Sequence, residues 1–226
     1  PNPGWSEQNP EDWTHACKLA FLDLRDNFPK EISKLKSIGV AGHMHGSVLL
    51  DNLHAPVRPC ILWNDTRSYE EAGKLDSLPK VRDISGNIVF PGFTSPKLLW
   101  VKNNEPDIFQ KIKTVVLPAS YLNTWLIGAP FADMSDSAGT SWLDLKLRKW
   151  SEHLIVSSDM QIEQMPKLVE GNQIAGQIRS DLASELGFPN GVMVVGGAGD
   201  NAAAACGVGA VSYTHLRAHE TKANRV

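Results

Sequence analysis

The feature that most constrains this chain is a change of pattern near its C-terminal end. Val192-Met193-Val194-Val195 runs into Gly196-Gly197-Ala198-Gly199 and then into Asp200-Asn201-Ala202-Ala203-Ala204-Ala205. Four apolar residues bounded by glycines read as a buried strand, and the small residues after Asp200 read as a helix. The glycines between them predict a turn. A strand that hands over to a helix commits the chain to an α/β arrangement and also marks a candidate site. Glycines let a ligand approach the backbone, and the helix start offers unpaired N–H groups. On local chemistry, Asp200 is either a helix cap or a reacting group of that site. The spacing Gly197-x-Gly199-x-x-Ala202 also fits the dinucleotide fingerprint of a nicotinamide oxidoreductase. That reading needs a ribose-binding acid about 20 residues on, which falls at Glu220, and it sets the Asp200 carboxylate where pyrophosphate would lie.

The remaining pattern is mixed. Asn9 precedes Pro10-Glu11-Asp12, a helix start with proline and acids in its first turn, and Trp13, Ala16, Cys17, Ala20, Phe21 and Leu24 then recur as one helical stripe. Ser37–Gly42 reads as a buried strand running into the loop His43-Met44-His45-Gly46. Ser47–Asp51 and Pro59–Trp63, joined by a turn-rich segment, predict an antiparallel hairpin. Arg67–Leu78, Lys97–Lys102 and Pro118–Ile127 read as helices, Lys111–Leu117 ends in an apolar run, and Thr140–Trp150 predicts a second hairpin. With no repeat period visible, this order fits one α/β or α+β domain.

Composition narrows the partners. Twenty-two Lys+Arg against 25 Asp+Glu, dispersed along 226 residues, leave no basic stripe for a phosphate backbone, so nucleic acid is not an expected partner. No apolar run approaches the roughly 20 residues of a membrane span. Three widely spaced cysteines, Cys17, Cys60 and Cys206, contain no C-x-x-C and favour a reducing, cytoplasmic setting over a disulfide framework.

Other segments carry groups suited to a site. His43 and His45 alternate faces after a strand, so one of them can point into a cleft; a loop that curled back would bring both to a metal. Trp63-Asn64-Asp65-Thr66-Arg67 combines an aromatic face with amide, acid and guanidinium, which suits a polyhydroxylated ligand and equally suits a helix start capped by Asn64 or Asp65. Asp133–Thr140 alone reads as an ordinary polar loop. Of the seven tryptophans, Trp63 and Trp142 neighbour these segments, whereas Trp13 and Trp100 lie on helical stripes.

Taken together, five ordered segments resemble the FGGY family of carbohydrate kinases: Gly39–Gly46, Ile61–Arg67, Pro91–Trp100, Asp133–Thr140 and Gly199–Ala203. Trp5-Ser6-Glu7-Gln8 and Met165–Gly171 are similar to the family as well. The resemblance implies an α/β fold of the ribonuclease H-like, actin-type ATPase class, incomplete at its first strands. It covers 1–211 as part of the N-terminal sugar-binding domain, with 212–226 as a foreign or disordered tail. It further implies a strand bearing Asp-x-Gly-Thr before Pro1, a second domain after Val211, and a homodimer as the intact form. By resemblance Asp200 is the catalytic base, Asn201 a ligand of a sugar hydroxyl, and Met44 and His45 the substrate-binding pair. Trp63, Asn64 and Asp65 are expected to bind the substrate too, on the mixture of groups described above, and Gly197 and Gly199 would let the triphosphate of ATP draw near. No metal ligand is assigned here; the main binding elements for ATP and Mg2+ are expected outside this chain. Glycerol kinases tend to show Arg-Glu where this chain has Met44-His45. The implied reaction is therefore ATP-dependent phosphorylation of a ketopentose, D-xylulose, with the isolated chain inactive. Another sugar or polyol kinase, or a silent sugar-binding module, remains the alternative.

Overall fold

The computed structural model describes residues 2–210. Its central sheet holds three strands, with Met193–Gly199 between antiparallel Ile174–Gln177 and parallel Ser37–Gly42. The parallel register pairs Val194 with Ile38 and Gly199 with Gly42. Both strands therefore end at the same edge, and the residues that follow them, His43 and Asp200, leave side by side. Ser37–Gly42 was expected to be buried. Instead it alternates exposed and half-buried positions, because among the described residues it is the last strand of its sheet.

The glycines after Val195 do not form a turn. The strand continues through them to Gly199, with its register to Ser37–Gly42 shifting between Val195 and Ala198. Gly197 has φ 81°, and a Cβ there would run into the Val40 carbonyl. The glycines are present because the strand passes too close to its neighbours for side chains, a demand that sequence alone does not separate from a turn.

Helix Pro10–Asn27 starts as expected, with the Asn9 side chain accepting from the Glu11 N–H at 3.3 Å. Its inward face is narrower than the predicted stripe. Trp13, Cys17, Phe21 and Leu22 turn inward, whereas Ala16, Ala20 and Leu24 are exposed. Trp13 meets both His43 and Tyr121 edge-on, the latter in helix Pro118–Ile127. Phe21, Leu22, Ile38 and Val40 pack against a core built from Leu126, Phe131, Val169, Leu186 and Val194.

A second core gathers Leu49, Ile61, Leu98, Val101, Trp142 and Ile155. Trp142 belongs to it entirely: it is 1% exposed and donates its indole N–H to Ser158 Oγ at 2.8 Å, so it is no neighbour of the site. The predicted first hairpin is re-paired. Val48–Leu50 pairs with Thr114–Val116 and Cys60–Ile61 with Glu7–Gln8, leaving single bridges, Ser47 to Ile61 and Leu50 to Pro56, where a ladder was expected. Val48, Leu49 and Leu50 are all fully buried, Leu49 in this core and the other two against Cys60, Val116 and Tyr121. A strand buried on both faces needs a partner within the core. The second hairpin forms over Leu143–Asp144 and Lys149–Trp150. The segment 212–226 and the boundary after Val211 lie outside the described residues.

Candidate active site

The common edge of the two parallel strands opens onto a cavity of about 260 Å³, lined by Met44, His45, Trp63, Asp200 and Asn201. Widely separated segments thus converge at strand carboxyl ends, where α/β sheets collect ligands.

His45 is fixed from several sides. Its backbone is left-handed, with φ 69°, a conformation that costs a non-glycine residue energy and persists only where its surroundings hold it. Its ring stacks on Phe93 with centroids 4.5 Å apart, and its Nδ1 lies 2.7 Å from the Gly139 carbonyl oxygen. Its own carbonyl accepts from Lys97 Nζ at 2.9 Å and from Thr94 Oγ1 at 3.1 Å. Burial pushes the imidazole pKa below its ordinary value, more strongly than the Gly139 contact raises it. The ring is therefore neutral at pH 7. Because a carbonyl only accepts, the proton sits on Nδ1 and Nε2 keeps a lone pair. His43 also has a lowered pKa, again chiefly from burial, and packs against Trp13. The two histidines do not build a metal site: among the described residues, no three His, Cys, Asp or Glu side chains are grouped to hold an ion.

Asp200 opens helix Asp200–Gly207, with Gly199 in the capping position. Asp200 is exposed, and its Oδ1 accepts from the Asn201 N–H at 2.7 Å. The backbone just before it is anchored: the Gly199 N–H donates to Ser135 Oγ at 3.1 Å, and Ser135 donates to Asp133 Oδ1 at 2.6 Å. Behind this anchor lies Asp136, fully buried, with neither carboxylate oxygen partnered among the described residues. Burial, then the charges of Asp133 and Asp200, push its pKa well above the usual carboxylate value.

The third arm carries Trp63, which is 57% exposed and presents a ring to the cavity rim. Asp65 does not line the cavity. It is buried, accepts from the Ser6 N–H at 2.6 Å, and forms a two-pronged pair with Arg67 at 2.9 and 2.7 Å. Arg67 in turn lies over the Trp5 ring at 3.7 Å and pairs with Glu7. Asp65 thus braces the Trp63 segment instead of meeting a ligand. Asn64 is exposed and likewise off the cavity. Gly197 faces a separate cavity of about 730 Å³, alongside Asp133, Arg148, Glu170 and Ala198. Gly199 touches neither opening and backs onto Met44 and Asp136.

A model of the N-terminal domain of the FGGY carbohydrate kinases matches residues 1–207. The chain belongs to that family. FGGY relatives agree in sequence and in fold. A xylulose kinase of Escherichia coli (strain K12) is 46% identical over 212 residues, covering 93% of this chain and 43% of its own length. The crystal structure of a xyloylose kinase from Brucella ovis is 56% identical with a TM-score of 0.90, and covers 92% of this chain and 43% of that one. A xylulose kinase from Rhodospirillum rubrum, 27% identical, superposes with a TM-score of 0.88 over the same shares. The fold is the mixed α/β fold of FGGY N-terminal domains, and the chain spans less than half the length of these relatives. Two supports of this cavity are segments the sequence marks only by their resemblance to the family, Asp133–Thr140 being locally an ordinary polar loop. Asp133–Thr140 holds both Gly199 and His45, and Phe93–Lys97 braces His45.

Proposed function

We propose that this chain forms the sugar-binding part of a kinase that phosphorylates a ketopentose, D-xylulose, at the expense of ATP. The observation that carries the reading is the shared cavity, which sets one free carboxylate, one neutral imidazole acceptor, an amide and an aromatic face around a space of about 260 Å³. Those groups match a polyol: ring faces stack on C–H groups, while His45 Nε2 and Asn201 exchange hydrogen bonds with hydroxyls. Relatives named as xylulose kinases support the choice of sugar.

In this reading Asp200 is the general base. As the sugar oxygen attacks the γ-phosphorus, its proton passes to the Asp200 carboxylate, the new O–P bond forms, and the bond to the β–γ bridging oxygen breaks to release ADP. The Ser135 contact at Gly199 holds this base in place, and His45 and Trp63 orient the acceptor hydroxyl. ATP is the second substrate. The described residues do not group three His, Cys, Asp or Glu side chains around an ion. The nicotinamide alternative loses its footing because Gly197 lies inside the strand instead of in a turn, and the helix that follows opens on the Asp200 carboxylate, where a pyrophosphate would have to sit. Three free cysteines fit a cytoplasmic protein, and among the described residues no helix is long and apolar enough to cross a membrane.

The test is ATP-dependent phosphate transfer by the chain completed to the length of its relatives, assayed with D-xylulose, other ketoses and glycerol. Preference for D-xylulose supports the proposal. Preference for glycerol moves the chain to another branch, and sugar binding without transfer makes it a silent module.

A further inference from the structure

Lysine is almost never fully buried without a charged partner, because removing an ammonium from water is costly. Lys97 is 0% exposed, and its hydrogen bonds go to two backbone carbonyls, those of His45 at 2.9 Å and Ile61 at 3.3 Å. Burial drives its pKa down to about 7 against the opposing pull of Cys60 and Asp65. A methionine would fill the same volume in this core at no such cost. The two carbonyls belong to different arms of the cleft: His45 itself, and the strand that leads through Leu62 to Trp63. We propose that Lys97 is a positioning residue of the sugar cleft, fastening the His45 carbonyl to the Ile61 carbonyl so that the imidazole and the Trp63 ring keep a fixed separation. This rests on the reading of that cleft as a sugar site.

The local geometry gives the clamp something to hold. His45 sits at φ 69° without being glycine, so its backbone is strained and would relax if released. Lys97 lies in helix Thr94–Asn104, whose first residue, Thr94, donates to the same His45 carbonyl at 3.1 Å. Phe93, just before that helix, stacks on the His45 ring. One helix start therefore grips carbonyl and ring together, and Lys97 Nζ also reaches the Ile61 carbonyl, which accepts in addition from the Ser47 N–H at 3.0 Å.

The experiment measures sugar and ATP KM, kcat and thermal unfolding in the full-length kinase carrying Lys97→Met, Lys97→Gln or His45→Ala. Lys97→Met is expected to raise the sugar KM about tenfold, as a small misplacement of a binding group does, while the ATP KM is unchanged. Lys97→Gln keeps an N–H donor and should fall between wild type and Lys97→Met. A folded Lys97→Met with an unchanged sugar KM overturns the proposal. If Lys97→Met does not fold, Lys97→Gln carries the test, because its shorter side chain cannot span both carbonyls: a raised sugar KM with an unchanged ATP KM supports the clamp, and a wild-type sugar KM overturns it. His45→Ala separates the two claims: if it leaves the sugar KM unmoved, the sugar-site reading fails, and if it alone raises the KM, only the clamp fails.

Discussion

The Nδ1 of His45 lies 2.7 Å from the carbonyl oxygen of Gly139, and this contact decides which ring nitrogen faces a ligand. With Nδ1 donating, the neutral ring keeps Nε2 as an acceptor, the role the proposed sugar site gives it. Burial lowers the pKa, with Lys97 and His43 acting in the same direction and Gly139 and Asp200 in the other. The midpoint of its protonation therefore lies below the ordinary histidine value of about 6.5. The sugar KM should be flat from neutral pH upward and rise on acidification, as Nε2 becomes a donor. A KM that improves as His45 gains its proton would contradict the assignment.

Asp136 should make the chain less stable as pH rises. Its folded pKa lies above that of the unfolded chain, so between the two values the folded state keeps a proton the unfolded state has lost. The window opens near the unperturbed value of about 3.9. Within it, stability declines by about 1.4 kcal/mol per pH unit on this account alone. Asp136→Asn removes the ionisable group and should gain on the wild type as pH increases, measured by urea unfolding across the range. A difference that stays constant with pH would show that Asp136 is not held protonated.

Asp65 works in the opposite sense. Burial alone would raise its pKa, but the Arg67 guanidinium and the N–H groups of Ser6 and Arg67 outweigh it and bring the pKa below the usual carboxylate value. Its stabilisation is thus present above the unfolded pKa and lost as pH falls through the folded one. Asp65→Asn leaves the buried Arg67 with Glu7 as its remaining ion-pair partner, so it should cost less than the about 3–5 kcal/mol of a wholly uncompensated buried charge, with the loss greatest near neutral pH and smaller in acid. Denaturant unfolding at two pH values checks both the size and the direction.

The legible and illegible parts of the sequence divide along physical lines. Helix Pro10–Asn27 announced itself through Asn9, Pro10 and its acids, because capping is local chemistry. The pairing of Val48–Leu50 with Thr114–Val116 did not, since three apolar residues in a row do not name their partner. The convergence of His45 and Asp200 on one cavity was legible through strand ends and family motifs. Asp65 was misplaced because a carboxylate beside a tryptophan looks the same whether it meets a sugar or an arginine two residues on. Lys97 and Ser135 act through backbone atoms of distant residues, and such contacts leave no local pattern.

The most direct test of the account is the turnover of Asp200→Asn in the full-length kinase, with the sugar KM measured alongside. Asparagine keeps the length of the side chain and its acceptor for the Asn201 N–H, but it cannot take a proton from the attacking hydroxyl. If Asp200 is the general base, kcat falls by about 10²–10⁴ while the sugar KM changes by less than about tenfold. Turnover close to wild type would reduce Asp200 to the first residue of a helix and remove the chemical centre from this cleft.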